Sequence, residues 1–457
     1  MLSIVNPATE EVIQEVRTPS AQDIKAAYAA AVEAQKRWAD TPYLSRAKII
    51  TEFRQLLEKN SIECASVTSS EMGKPVHQAV GEIKATLMRI DWFLENTPKE
   101  LAAEQVRVAP PMIEEISYEP LGVIGNISAW NFPYFVGSNV FIPALLTGNA
   151  VLYKPSEFST LTGLKLAHLF EEAGLPAGLF QALPGGPDVG KGLSALPLNG
   201  MFFTGSFRTG QRIAETQANR FTKVGLELGG KDPAYVCDDV DVKTAAESVA
   251  DGAFYNAGQS CCAVERIYVH AKVYDEFLAH FKAFTASLVI GDPRDSKTYM
   301  GPVARQAQLE ILREQVQDAL DKGAQYLVKG GRREGRGYFY EPTALIGVNH
   351  SMKIMRDESF GPIIGIQKVA SDEEALALMN DNEYGLTSSV HTLDKARAIQ
   401  LMKRLNSGTV YWNCCDRVSP YLPWTGRKAS GMGSTLSHIG VKTFLQPKAW
   451  HLRHPGV

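Results

Sequence analysis

The run Phe254-Tyr255-Asn256-Ala257-Gly258-Gln259-Ser260-Cys261-Cys262 sets a thiol in a Gly- and Gln-rich context, 34 positions after Glu227 of Glu227-Leu228-Gly229-Gly230-Lys231. A cysteine suits chemistry in which a covalent adduct forms and later releases. A small thiolate fraction attacks a carbonyl well, and the resulting thioester hydrolyses readily. A carboxylate nearby can activate the water for that hydrolysis. Taken singly, a Cys is most often core filler and a Glu a solvated charge. The pairing of Cys261 with Glu227 reads instead as nucleophile and base.

Other residues suggest a nucleotide. No G-x-G-x-x-G follows a strand, but Gly205-Ser206 follows the apolar run 201–203 and opens a helical stretch at 208–216. Backbone N–H groups at such a helix start can face a phosphate; a Ser N-cap beside a turn glycine is the alternative. Lys154 and Glu157 follow a strand-like run at 150–153, where doubly wound sheets bind nucleotides. An acid there can accept from ribose hydroxyls and would repel a 2′-phosphate, favouring a nucleotide that lacks one (NAD over NADP, where the resemblance described below implies a nicotinamide cofactor), while Lys154 could partly neutralise that repulsion. Two solvated charges at a Pro turn are the simpler reading of the pair.

The elements that must position these groups fall into two series. Residues 24–38, 44–59 and 81–96 carry apolar positions at helical spacing. From 121 to 236, short runs at 122–127, 150–153, 180–183, 201–203, 223–226 and 234–237 alternate with helical segments, which implies a parallel sheet covered on both faces. A second α/β series follows Asp241, with helices at 241–257, 272–288 and 303–322 and strands near 264–270, 386–391 and 408–412. The strand-like pieces 113–119 and 443–452 are too small to fold alone.

With 457 residues, 45% of them apolar and 21% charged, and a net charge of −3, the chain is long enough for two or three lobes and carries no basic patch for nucleic acid. The longest apolar stretch, 135–153, is broken by Ser138, Asn139, Pro143 and Thr147-Gly148-Asn149, so no membrane span is expected. The start lacks a basic n-region ahead of an apolar run, and a cytoplasmic protein is expected. Six cysteines, at 64, 237, 261, 262, 414 and 415, show neither metal-ligand spacing nor a disulfide framework, so no metal is expected and a reduced compartment fits.

Gly225-Leu226-Glu227-Leu228-Gly229-Gly230-Lys231 and the run from Phe254 to Cys261 resemble the two signature segments of the NAD(P)-dependent aldehyde dehydrogenase superfamily. Further segments follow in that family's order. They are Pro120-Leu121-Gly122-Val123-Ile124, Trp130-Asn131-Phe132-Pro133, Lys154-Pro155-Ser156-Glu157, Phe203-Thr204-Gly205-Ser206, Glu358-Ser359-Phe360-Gly361-Pro362 and Asn382-Glu383-Tyr384-Gly385-Leu386. The resemblance implies an α/β fold with a variant Rossmann NAD-binding domain at 1–108 and 122–229 and an α/β catalytic domain at 230–430. It also implies a small β arm at 109–121 and 431–457 that completes a neighbouring subunit's sheet in a dimer or tetramer.

For the chemistry, the resemblance implies that Cys261 attacks an aldehyde and that the Asn131 amide and the Cys261 backbone N–H hold the resulting alkoxide. Hydride leaves to NAD, and Glu227 activates the water that hydrolyses the thioester, which places the chain in the hydrolytic branch and not the coenzyme-A-acylating one. Ile127, Trp130, Lys154, Glu157, Gly205, Ser206, Leu228, Glu358 and Phe360 correspond to cofactor-binding positions. Trp130, Tyr134, Tyr255, Ser260, Asp416, Val418 and Trp424 correspond to the aldehyde tunnel.

Two departures matter: the family's P-F-G-G-x-K-x-S-G reads here as Pro423-Trp424-Thr425-Gly426-Arg427-Lys428-Ala429-Ser430-Gly431, and a proton relay lacks both partners. Many hydrolytic members pair a Lys nine positions after the Asn with a Glu in a terminal motif, as a proton relay behind the base; here those positions are Val140 and Thr435. Glu227 is therefore expected to exchange its proton through water or backbone groups. The tunnel is an aromatic box with one acid, and its charge leaves three substrate classes open. Asp416 suits an amino-aldehyde, Arg417 suits a semialdehyde carboxylate, and an uncharged aldehyde is the default if the two satisfy each other or the loop backbone. A cofactor-independent cysteine esterase using Cys261 and Glu227 is a further alternative.

Overall fold

The computed structural model describes residues 1–454; positions 455–457 of the expected arm lie outside the described residues. The chain opens with four helices, Ala21–Ala39, Tyr43–Lys59, Ser61–Met72 and Val76–Leu101. Ser20 and Asp23 form a reciprocal capping box that fixes the first of them. Ser61–Met72 escapes sequence periodicity because its buried face is largely small or polar: Cys64, Ala65, Thr68, Ser69 and Glu71. Glu71 is paid for by the Leu161 and Thr162 backbone N–H groups, each at 2.7 Å.

These helices pack on a six-stranded sheet in the order Gly431–Met432, Lys223–Glu227, Gly200–Thr204, Val123–Ile127, Ala150–Lys154 and Phe180–Ala182. All neighbours are parallel except Gly431–Met432, which runs antiparallel to Leu226 and Glu227. One core joins the helices to this sheet, with Phe53 stacked on Phe170 at 3.8 Å between ring centroids. Burying each such side chain stabilises the fold by about 1.5–3 kcal/mol.

A seven-stranded sheet follows in the order Gln325–Val328, Thr343–Ile346, Ile363–Val369, Val264–His270, Asp232–Val236, Thr387–His391 and Thr409–Trp412, with a separate core on each face. The run at 234–237, grouped by periodicity with the first series, is central to this second sheet: Gly229-Gly230 breaks the chain between Lys223–Glu227 and Asp232–Val236. Strand Ile363–Val369 was hidden behind the Gly361-Pro362 turn that precedes it. Met112–Pro120 pairs antiparallel with both Leu445–Arg453 and Glu104–Ala109 in a three-stranded sheet. That sheet begins before residue 109, and Gly431–Met432 is not part of it. No helix among the described residues is long and apolar enough to cross a membrane.

Candidate active site

The parallel strands of the first sheet end in one row. Ile127 pairs with Lys154 on one side and Phe203 on the other, and Thr204 pairs with Glu227. Ligands of open α/β sheets bind beyond such carboxyl ends. Gly205 and Ser206 lead from this row into helix Phe207–Ala218, and the Ser206 side chain does not cap it, donating instead to Thr209 Oγ1 at 3.1 Å. The Thr209 and Gly210 N–H groups donate to the Ser206 carbonyl, and those of Phe207 and Arg208, without an acceptor among the described residues, can face an anion. Opposite lies Glu358, which accepts from the Gly230 N–H at 3.1 Å. A Cβ on Gly229 would stand 2.4 Å from its Oε1, so only glycine permits that approach. Burial, and then the Glu265 carboxylate, push the Glu358 carboxyl up. Lys231, paired with Glu265 at 2.7 Å, fixes the loop that carries Glu358 and Phe360, because Glu265 also accepts from the Ser359 and Phe360 N–H groups.

The thiol is aimed by a strained turn. After helix Val242–Phe254, the residues Asn256, Ala257 and Gly258 take φ of 52°, 55° and 68°. Left-handed backbone costs an alanine about 1 kcal/mol. Side chains hold the turn against that cost: Asn256 Nδ2 donates to the Asn131 and Gln259 carbonyls at 3.1 Å each, and Gln259 Oε1 accepts from the Ala304 N–H at 2.8 Å. Asn131, 2% exposed, donates one amide hydrogen to the Gln259 carbonyl at 3.1 Å, and its second amide hydrogen has no acceptor among the described residues.

Cys261 then stands between two cavities. One, of about 480 Å³, is walled by Tyr255, Ser260, Asp416, Val418, Trp424 and the unforeseen Arg89. The other, of about 150 Å³, is walled by Trp130, Asn131, Gly205, Ser206, Leu228, Glu358 and Phe360. Cys261 and Glu227 are the two residues the cavities share.

The second cavity suits the nicotinamide end of a dinucleotide. It has a free helix N-terminus, an acid able to accept from a ribose, and the rings of Trp130 and Phe360 set edge-on at 5.4 Å. Ile127, Lys154 and Glu157 border neither cavity; they lie along the same row of strand ends and beyond it. Lys154, 4% exposed, donates to the Pro155 carbonyl at 3.1 Å and stands 3.5 Å from Glu157, and burial pulls its pKa down.

The two cysteines differ. Cys262 borders only the larger cavity, and its thiol donates to Asp416 Oδ1 at 3.0 Å. Its pKa is held well above the usual value by hydrogen bonding with Cys261, then by burial and Asp416. Glu227 keeps part of its surface open to the cavities yet sits deep in the protein, and that depth pushes its carboxyl up to about 7, against the lowering effects of Thr435 and then Arg89. Thr435 Oγ1 donates directly to Glu227 Oε1. Thr435, at the position where a relay carboxylate stands in many relatives, thus presents a hydroxyl to the base.

Three tunnel expectations also change. Tyr134 does not line the cavity: it is fully buried and donates to the Cys64 carbonyl at 3.1 Å, because helix Pro133–Leu146 turns it into the core and presents Phe132 and Phe135 to the cavity instead. Trp130 faces the cofactor-side cavity, packed edge-on to Phe158 and Phe360. Asp416 and Arg417 do not satisfy each other: Asp416 Oδ1 accepts from Ser260 and Cys262, while Arg417 is exposed. Burial pushes the Asp416 carboxyl up.

Sequence reading missed Arg89, Arg305 and Gln308, and it named Thr435 only as a relay position without its Glu. Arg89 had a legible signal: it shares helix Val76–Leu101 with Glu82 at seven-residue spacing, two charges among buried Ile83, Leu87 and Ile90. The others rest on contacts distant in sequence.

Residues 1–450 match the family model described as "Aldehyde dehydrogenase family". Aminoaldehyde dehydrogenase 1 of Malus domestica is 35% identical, with 98% of this chain and 91% of that protein covered. The crystal structure of lactaldehyde dehydrogenase from Escherichia coli superposes with a TM-score of 0.96 at 34% identity, covering 99% of this chain and 96% of that one. Betaine aldehyde dehydrogenase from Staphylococcus aureus in complex with NAD+ gives 0.96 at 29% identity, covering 100% and 92%. With a thiol and a carboxylate shared by two cavities and this likeness along nearly its whole length, the chain belongs to the aldehyde dehydrogenase family, an oxidoreductase that oxidises an aldehyde with NAD(P).

Proposed function

We propose that Cys261 is the nucleophile, Asn131 the oxyanion donor and Glu227 the hydrolytic base of this oxidation, with the aldehyde entering the larger cavity and the nicotinamide the smaller. The observation that carries the assignment is that Cys261 and Glu227 alone border both cavities. The Cys261 thiolate adds to the carbonyl, and the free amide hydrogen of Asn131 and the Cys261 backbone N–H receive the alkoxide charge. NAD(P), when bound, supplies the hydride acceptor. The acyl group stays on Cys261 as a thioester, and Glu227, poised near neutrality, takes a proton from water to release the acid. A cofactor-independent esterase has no use for the smaller cavity. The test is NADH formation over a panel of aldehydes; ester hydrolysis without any NADH would overturn the reading.

NAD is the preferred cofactor in this proposal, because Glu157 stands beyond the end of strand Ala150–Lys154, where a ribose 2′-phosphate would meet its carboxylate. Glu157→Gln should raise kcat/KM with NADP about 10-fold relative to NAD, a loss of repulsion of about 1.4 kcal/mol; an unchanged ratio would place the discriminating group elsewhere. The three-stranded sheet of Glu104–Ala109, Met112–Pro120 and Leu445–Arg453 supports self-association, since Val106, Val108 and Leu452 are exposed on it. Sedimentation should report a dimer or tetramer, and a monomer at micromolar concentration would sink that part. Six free cysteines support a reducing compartment such as the cytoplasm.

A further inference from the structure

Among the described residues three arginines are buried, and two of them are fully provided for. Arg46 donates to the Leu146, Trp38, Ala39 and Thr41 carbonyls, with its best bonds at 2.7 and 3.0 Å. Arg266 donates to the Lys231, Leu378 and Met379 carbonyls and the Tyr268 hydroxyl at 2.8–3.2 Å. Arg89 is different. It is 1% exposed, and its one short bond runs from Nη1 to Asn139 Oδ1 at 2.6 Å. Its contacts with the Phe135 and Val418 carbonyls are both at 3.5 Å, and no carboxylate pairs with it among the described residues. A guanidinium carries five N–H donors, and burying a charge without partners is costly.

Arg89 is also placed where a ligand reaches it. Its guanidinium lies over the Phe135 ring, 3.0 Å from the centroid, and forms part of the wall of the cavity that holds Cys261. The acids of that wall all have donors of their own. Glu82 is paired with Lys74 and accepts from the Tyr134 and Phe135 N–H groups. Asp251 accepts from the Tyr299 hydroxyl, Asp416 from Ser260 and Cys262, and Glu227 from Thr435. Asp251, Asp416 and Glu227 are met only by neutral hydroxyl or thiol donors, so what singles out Arg89 on this wall is not net charge but guanidinium N–H groups left without a close acceptor. Burial pulls Arg89 down only to about 9, so it remains a cation at neutral pH.

We propose that Arg89 anchors an anionic group at the far end of the aldehyde, so that the cavity takes carboxylate-bearing aldehydes in preference to the ammonium-bearing ones that relatives' names suggest. This rests on the assignment of the larger cavity to the aldehyde. A carboxylate receives two parallel N–H bonds from a guanidinium, a fork that a point charge or a neutral chain does not use. Asn139 holds Nη1 in place, and Phe135 holds the plane.

The test uses the full-length protein with saturating NAD, well alkaline of the pH at which Glu227 titrates. Succinate semialdehyde, pentanal and aminobutanal serve as probes of similar length. The first should show the highest kcat/KM, by about 10-fold or more. Arg89→Met should raise KM for succinate semialdehyde about 10²-fold and erase the preference, bringing its kcat/KM down to that for pentanal in the same variant. Asn139→Asp, which sets a carboxylate against Nη1 without removing the arginine, should abolish the preference as well, and it decides the matter should Arg89→Met fail to fold. Preference for aminobutanal, or an equal loss of pentanal turnover in Arg89→Met, would overturn the proposal; the latter would assign Arg89 to Glu227 or the thiol. A second readout needs no cofactor: succinate should slow iodoacetamide alkylation of Cys261 in the wild type and not in Asn139→Asp. Protection without NADH from any aldehyde would keep the anion site and refute the dehydrogenase roles. NADH without carboxylate preference or protection would do the reverse.

Discussion

Cys261→Ala should lower NAD-dependent aldehyde oxidation by on the order of 10⁴-fold or more, while Cys262→Ala should retain turnover within about 10-fold. The adjacency of the two thiols makes this the sharpest test of the site. Cys261 borders both cavities, so an adduct on its sulfur faces aldehyde and nicotinamide together; Cys262 faces only one cavity and donates its hydrogen to Asp416. A thiol whose pKa is held high by its neighbours is a poor nucleophile. Both variants should bind NAD as the wild type does, since neither sulfur belongs to the helix N-terminus or to the Glu358 loop. Fluorescence titration with NADH checks the binding, and NADH formation checks the turnover. Equal loss in both variants would remove the assignment of the nucleophile.

How the sequence foretold this site depends on whether the signal was local. The Cys261 turn is written in consecutive residues: Asn256, Gly258 and Gln259 form it and lock it, so the motif carries its own geometry. Glu227 and Gly229 are legible for the same reason, as a strand end followed by a glycine that admits Glu358. Tyr134 was misplaced because a motif fixes a position along a helix but not the side to which a given residue turns. Arg89 was not read as a partner, and Thr435 was read only as a relay position without its Glu, because they reach the site from segments 138 residues before and 208 residues after Glu227, through tertiary contact. The strand register shows a similar limit. Periodicity found most of the parallel strands but assigned 234–237 to the wrong sheet, since alternation of β and α does not say where one sheet stops.

Glu227→Gln should leave the first turnover intact and cut steady-state turnover by about 10²–10⁴-fold, because a general base is needed only when water attacks the thioester. The amide also removes a negative charge near Cys261, so a burst of NADH equal to the enzyme concentration, followed by slow release, is the result that separates a hydrolytic base from an activator of the thiol. Loss of the burst would assign Glu227 to activation. The pH dependence carries a second test. Glu227 works as the carboxylate, and its pKa stands near 7, so wild-type turnover limited by hydrolysis should rise with pH through that value. Thr435 donates to the carboxylate and lowers that pKa, as does the charge on Arg89. Removing the donor in Thr435→Val destabilises the charged form and should move the rising limb alkaline by up to about one pH unit, the equivalent of a hydrogen bond of about 1.4 kcal/mol. Turnover on the alkaline plateau should be little changed, since the carboxylate is fully formed there in either protein. Thr435→Ser, which keeps the hydroxyl, should hold the limb near its wild-type position. A shift in the acid direction, or equal shifts in both variants, would mean that the hydroxyl does not hold the base in its ionised form.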